Sequence, residues 1–271
     1  MKFTVLGARG FVGRHLVAHL DALGHEVFAP ERNDASIFDR PLDHVIYCIG
    51  LTADFRRKPF RTVHAHVSFL AEVLERADFE SLLYLSSTRV YSRTADTRET
   101  ALLPSDPGDP SDLFNLSKLL GESLCLHSAR SGTRVARLSN VVGFDPESEN
   151  FLPTLIGEAL SGRILLLTDP ASAKDYIGLS DVLRVLPHIA IEGQERIYNV
   201  ANGRNIKNSE LSKRLSDLTG CTIEVMESAP LITFAPISVA RLIQEFEFIP
   251  TEPLESLPQL LEAFRAKKSS A

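Results

Sequence analysis

Short apolar runs along the chain alternate with longer stretches in which apolar residues return every three to four positions. The short runs, rich in Val, Ile, Leu and Phe, predict strands near Lys2–Leu6, Glu26–Ala29, His44–Ile49, Leu82–Leu85, Arg134–Leu138 and Ile197–Val200. Between them the helical spacing predicts helices near Phe11–Leu23, Arg61–Arg76, Ser111–Ser131 and Leu179–Ile191. Near-continuous apolar strands are buried on both faces, and parallel strands need crossovers of helix length. The pattern therefore predicts an α/β fold, a doubly wound parallel sheet of Rossmann type.

From Ile191 onward predicted strands become sparse. The segments "NSELSKRLSDLTG" and "PLESLPQLLEAFRAK" predict helices starting after Asn208 and Pro253, each with a polar or proline start signal. A smaller C-terminal lobe is expected. Residues 1–143 and about 171–200 would form the dinucleotide-binding domain, and about 144–170 with 201–271 the substrate-binding lobe. Only about a dozen residues separate Arg32 from the strand at His44, too few for a helix and a strand, so the sheet is expected to lack a strand there. An irregular loop with Pro104, Pro107 and Pro110 leads into the helix near Ser111.

With 271 residues the chain can bury a large core without disulfides or metals. A net charge of −6, with no basic block beyond a short "AKK", argues against a nucleic-acid grip. Cys48, Cys125 and Cys221 lie far apart, as free thiols of a reducing compartment do, and the cytoplasm is the expected location. The first apolar run is too short for a signal peptide, and no run reaches the length of a membrane span. His15/His19 and His64/His66 are close in sequence but no third ligand is in view. They read as solvated helix faces, and no metal is expected.

Chemistry first enters at "VLGARGFVGRHL". Gly7, Gly10 and Gly13 follow the first strand, and Phe11 and Val12 open the helix. Such glycines permit a tight turn and a close approach of a pyrophosphate to the unpaired N–H groups of the helix N-terminus, so a dinucleotide is expected here. Glu31, after the second strand, is placed to bind adenosine ribose hydroxyls and favours NAD; Arg9 and Arg32 could clasp a 2′-phosphate instead. The two guanidiniums tilt the expectation to NADP over NAD.

Further segments follow in order: "LLYLSSTRVYS", "FNLSKLLGE", "RLSNVVG", "KDYIGLSDV" and "IYNVANG". Together with the glycine loop they resemble the extended short-chain dehydrogenases/reductases, the NAD(P)-dependent epimerases, dehydratases and reductases of nucleotide sugars. The resemblance implies that Ser87 polarises the substrate and that Lys118 holds the nicotinamide ribose. It also implies that a tyrosine four residues before that lysine carries the proton. Phe114 stands in that place, on the same helix face as Lys118. Phenylalanine has no proton to give. The chain is thus an enzyme scaffold with an exchanged tyrosine, engineered or natural, or a dinucleotide sensor without turnover.

Thr88, Tyr91 and a water on Ser87 are the candidate substitute proton carriers. Thr88 and Arg89 occupy the places where related 4,6-dehydratases carry an Asp-Glu pair, and Arg89 also replaces the cysteine of enzymes that epimerise beside a keto group. Hydride transfer at one carbon, as in a 4-epimerase or keto-sugar reductase, is the expected reaction. By the same resemblance Ser87, Thr88, Tyr91, Asn140 and Lys174 border a nucleotide-sugar substrate, with Lys174 at the diphosphate and Arg204 or Arg241 as further cations. A homodimer through the Phe114–Lys118 helix and its neighbour is implied as well.

Overall fold

The computed structural model describes residues 1–52, 54–148 and 150–269. Its elements are β1 (Lys2–Leu6), α1 (Phe11–Ala22), β2 (Glu26–Phe28), β3 (His44–Tyr47), α2 (Pro59–Val63), α3 (Phe69–Arg76), β4 (Ser81–Ser87), α4 (Asp112–His127), β5 (Thr133–Leu138) and β6 (Asn140–Val142). They continue as α5 (Phe151–Leu160), β7 (Arg163–Leu166), β8 (Ala173–Gly178), α6 (Leu179–Glu192), β9 (Ile197–Val200), β10 (Asn205–Lys207), α7 (Asn208–Thr219), β11 (Thr222–Val225), α8 (Ala240–Phe246) and α9 (Leu257–Ser269).

Among the described residues the main sheet is six-stranded, in the order β2-β1-β3-β4-β5-β9, and all its pairs are parallel. This is the expected doubly wound sheet. Side chains alternate across it: Leu83 and Leu85 of β4 join Leu16, Leu186 and Val200 on one face, while Leu82 and Tyr84 join Tyr47, Leu70 and Cys125 on the other. The sheet ends at β2. The short path to β3 holds only a 3₁₀ turn, Ala35–Phe38, whose Ile37 plugs the core on the Tyr47 and Leu70 face of the sheet.

A second hydrophobic cluster gathers α5, α7, α9 and β7 around Ile156, Leu166, Leu211 and Leu261. Two small sheets, β10-β8-β6 and β11-β7, border it. Helix α8 lies elsewhere than the expected lobe: Leu242 and the following Phe248 pack into the core against the main sheet. Strand β8, in turn, pairs with β6 and β10 rather than entering the main sheet.

The predicted helix near Arg61–Arg76 is present with a π-helical segment, His64–Ser68, between α2 and α3. A π segment displaces carbonyls from the regular ladder. Two of them are taken by sheet tyrosines: Tyr47 OH donates to Ala65 O at 2.7 Å and Tyr84 OH to His66 O at 3.2 Å.

Candidate active site

The carboxyl ends of β1, β3 and β4 face one cleft of about 520 Å³ that runs from Gly10 past Ser87, Phe114 and Lys118 to Lys174 and Phe234. At its β1 end the glycine loop is sterically committed. Gly7 has φ +89°, and a Cβ there would lie 2.9 Å from the Cys48 carbonyl carbon and the Ile49 nitrogen. A Cβ on Gly13 would lie 2.3 Å from Gly7 O, so α1 can press against the loop only with glycine at this position. Gly10 caps α1 without a side-chain hydrogen bond, and no acid sits in the first turn. The N–H groups of Phe11, Val12 and Gly13 are therefore open to an anion. These residues fit a dinucleotide pyrophosphate. Farther out, Arg9 and Glu31 form an exposed ion pair with each other, and Arg32 is exposed.

Ser87 ends β4 at the cleft, and its Oγ accepts from the Arg89 backbone N–H at 3.2 Å. Lys118 comes from α4 and is 5% exposed. Its Nζ donates to Leu85 O at 2.8 Å, and burial pulls its pKa down to about 7, against an opposing pull from Glu122. Phe114, one helical turn earlier, is 3% exposed and presents its ring between Phe55, at 5.5 Å, and His66, at 5.4 Å and edge-on. The Phe114–Lys118 register therefore brings both side chains to one cleft with Ser87.

His66 departs from the sequence reading. It is fully buried rather than on a solvated face, on the side of the helix that carries Leu70 and Val73 and hydrogen-bonded to Ser117 of α4. Its Nε2 faces the backbone N–H of Leu51 at 3.2 Å, which only a lone pair can accept. The proton is thus on Nδ1, which donates to Ser117 Oγ at 2.8 Å; that hydroxyl donates to Phe114 O at 2.9 Å. His64, by contrast, is exposed. No metal-binding cluster of His, Cys, Asp or Glu occurs among the described residues.

Tyr91 reaches the cleft wall, but its hydroxyl is committed. It accepts from Arg137 Nη1 at 2.6 Å and donates to Asn199 Oδ1 at 2.9 Å, and burial raises its pKa. Arg137 in turn forks onto Glu122, which also accepts from Ser86. This buried Glu122–Arg137 pair joins the "LLGE" and "RLSN" segments beneath the cleft; the sequence reading gave neither residue a role. Two charged residues buried at consistent helix and strand positions were the available signal.

Thr88 is buried and lines the cleft, and Asn140 lines it with Nδ2 donating to Asp175 O at 2.7 Å. Lys174, on β8, lies with its Nζ 5.5 Å from the Phe151 ring centroid; burial and the neighbouring Arg89 lower its pKa. The two further cations stand away from the cleft. Arg204 pairs with Glu252, and Arg241 donates to Ile197 O beside Glu195, because α8 packs behind β9.

The family model described as the NAD dependent epimerase/dehydratase family matches residues 3–201. The chain belongs to that family. It is 28% identical over 256 residues to a GDP-6-deoxy-D-mannose reductase of Pseudomonas aeruginosa, covering 83% of each chain. With a dTDP-4-dehydro-6-deoxy-D-allose reductase of Streptomyces bikiniensis it shares 23% identity over 295 residues, 92% of this chain and 90% of the relative. Among solved structures, RMD from Pseudomonas aeruginosa complexed with NADPH superposes with a TM-score of 0.81 at 26% identity, covering 98% of this chain and 99% of that one. No helix of the described residues is long and apolar enough to cross a membrane.

Proposed function

We propose that this protein is an NAD(P)-dependent nucleotide-sugar epimerase or keto-sugar reductase, moving hydride at one sugar carbon and slowed because Phe114 replaces the proton-carrying hydroxyl. The supporting observation is that the glycine cradle, Ser87 and Lys118 open onto one cleft with the Phe114 ring in the tyrosine place. Curated reductases of nucleotide-linked deoxy sugars among the relatives favour the reductase side.

When bound, the nicotinamide supplies or accepts the hydride. Lys118, fixed by Leu85 O, has two further N–H groups for ribose hydroxyls. Ser87 uses its Oγ lone pair on Arg89 N–H and keeps its own proton for a substrate oxygen. With Tyr91 held by Arg137 and Asn199, Thr88 and a water on Ser87 are the remaining routes for a proton. Thr88 and Arg89 supply no carboxylate pair for water elimination, so dehydration is outside the proposal. Arg9 and Arg32 favour NADP, with Glu31 giving up its ion pair to a 2′-phosphate, and the NADPH-bound relative supports that choice. A cytoplasmic homodimer pairing through α4 and its neighbouring helix is part of the same reading.

The alternative is a dinucleotide sensor without turnover, favoured by the close packing of Phe114 against Phe55 and His66. Thermal unfolding with NADP, NAD and UDP-, GDP- or dTDP-linked sugars tests the shared basis. A dinucleotide at a hundred times its Kd stabilises by about 2.7 kcal/mol, a rise of several degrees. Absence of any rise with both dinucleotides would sink both readings.

A further inference from the structure

We propose that Arg89 receives a carboxylate on the sugar itself, so that the substrate is a nucleotide-linked acidic sugar of the hexuronate class rather than a neutral hexose. This rests on the nucleotide-sugar reading above.

Arg89 follows Ser87 by two residues and turns its side chain into the cleft. Its guanidinium carbon lies 5.4 Å from the Phe55 ring centroid and 5.8 Å from that of Phe114, and the two rings fix the cation in place. Phe114 occupies the proton-transfer place, so the guanidinium stands at the reacting end of the sugar. If hydride moves at ring carbon 4, that end lies across the ring from the anomeric carbon that carries the diphosphate. The substituent within reach of Arg89 is then the one on carbon 5.

The cation is also short of partners. Among the described residues no carboxylate comes within ion-pair distance of Arg89. Its Nε is buried without a hydrogen-bond partner. Asp112 and Asp109, the acids whose charge it feels, are both held by Arg93. Burial and the nearby Arg56 press against its charge, and Lys174 adds a second cleft cation with no ion-pair partner among the described residues. Partly desolvated like charges are costly unless an anion joins them. A diphosphate answers the Lys174 ammonium. Arg89 presents a planar fork suited to a second, planar anion, which is what a carboxylate is.

The test titrates matched sugars into protein saturated with NADP: UDP-glucuronate against UDP-glucose, and GDP-mannuronate against GDP-mannose. In at least one pair the acidic sugar should bind about ten- to a hundredfold more tightly, as a charge-assisted bidentate contact provides. Arg89→Met should bring that ratio to near one, and Arg89→Lys, which keeps the charge, should retain part of it. Equal binding of acidic and neutral sugars by the wild type overturns the proposal and leaves the nucleotide-sugar reading standing. So does an equal loss for both sugars in Arg89→Met, which would assign the residue to the diphosphate. Binding of none of the four, nor of dTDP-glucose, overturns both.

Discussion

The neutral ring of His66 is fixed by three hydrogen bonds in series, from Leu51 N–H through the imidazole and Ser117 to Phe114 O. Burial, with the Lys118 charge adding to it, holds its pKa down to about 2. The folded value lies below the unfolded value of about 6.5. Its contribution to stability is therefore present above pH 6.5 and is lost as pH falls towards 2. The expected slope reaches about 1.4 kcal/mol per pH unit below 6.5 for this one group. Urea unfolding at pH 7, 6 and 5 measures it, and His66→Asn should flatten the slope; an unchanged slope in the variant would remove His66 as its source. This residue was misread in the sequence for a physical reason. His64 and His66, two positions apart, lie on opposite faces of a helix, and His66, four before Leu70 and seven before Val73, shares their buried face; its polar side chain masked that apolar spacing.

At the scale of elements, α4 sits close to the π segment because Gly121 lets it. A Cβ there would meet Tyr84 OH at 2.6 Å and His66 O at 2.7 Å, and both atoms belong to the hydrogen bond that closes the π segment. Gly121→Ala should destabilise the protein by about 1–3 kcal/mol through overpacking, read by the urea midpoint. A neutral result would mean that the helix pair yields freely. The inner strands of the main sheet were legible because they are apolar runs buried on both faces, whereas the edge strand β2 has Glu26 exposed and Val27 and Phe28 half-buried; β1 and β9 match their predicted spans, and β4 extends its prediction at both ends. Strands β6, β7, β8, β10 and β11 and helices α5 and α8 were not anticipated. The strands are short and mixed in polarity, and they pair in two- and three-stranded sheets, so neighbours rather than local pattern define them.

Over the whole molecule, the glycine loop, Ser87, Phe114 and Lys118 share one cleft because β4 ends at Ser87 and α4 crosses beside it with Lys118. The buried Glu122–Arg137 pair ties that helix to β5, and through Tyr91 and Asn199 to β9. The ion pair is 3% exposed at both side chains, so the frame around Ser87 is rigid. Motif order singled out the glycine loop, Ser87 and Lys118 in the sequence, and the fold brings them to one cleft; the partners of Tyr91, and the lack of an ion pair at Arg89 among the described residues, depend on contacts between distant segments and were not legible. On the proposed function, this frame lacks only a phenolic hydroxyl. Turnover of the nucleotide sugars that bind, followed at 340 nm for reduction and by chromatography of the sugar product for epimerisation, in the wild type and in Phe114→Tyr, tests it. A positioned general acid contributes about 10²–10⁴-fold, and the variant should gain a rate of that order. A Phe114→Tyr protein that binds dinucleotide and sugar yet turns over no faster than the wild type would contradict the account.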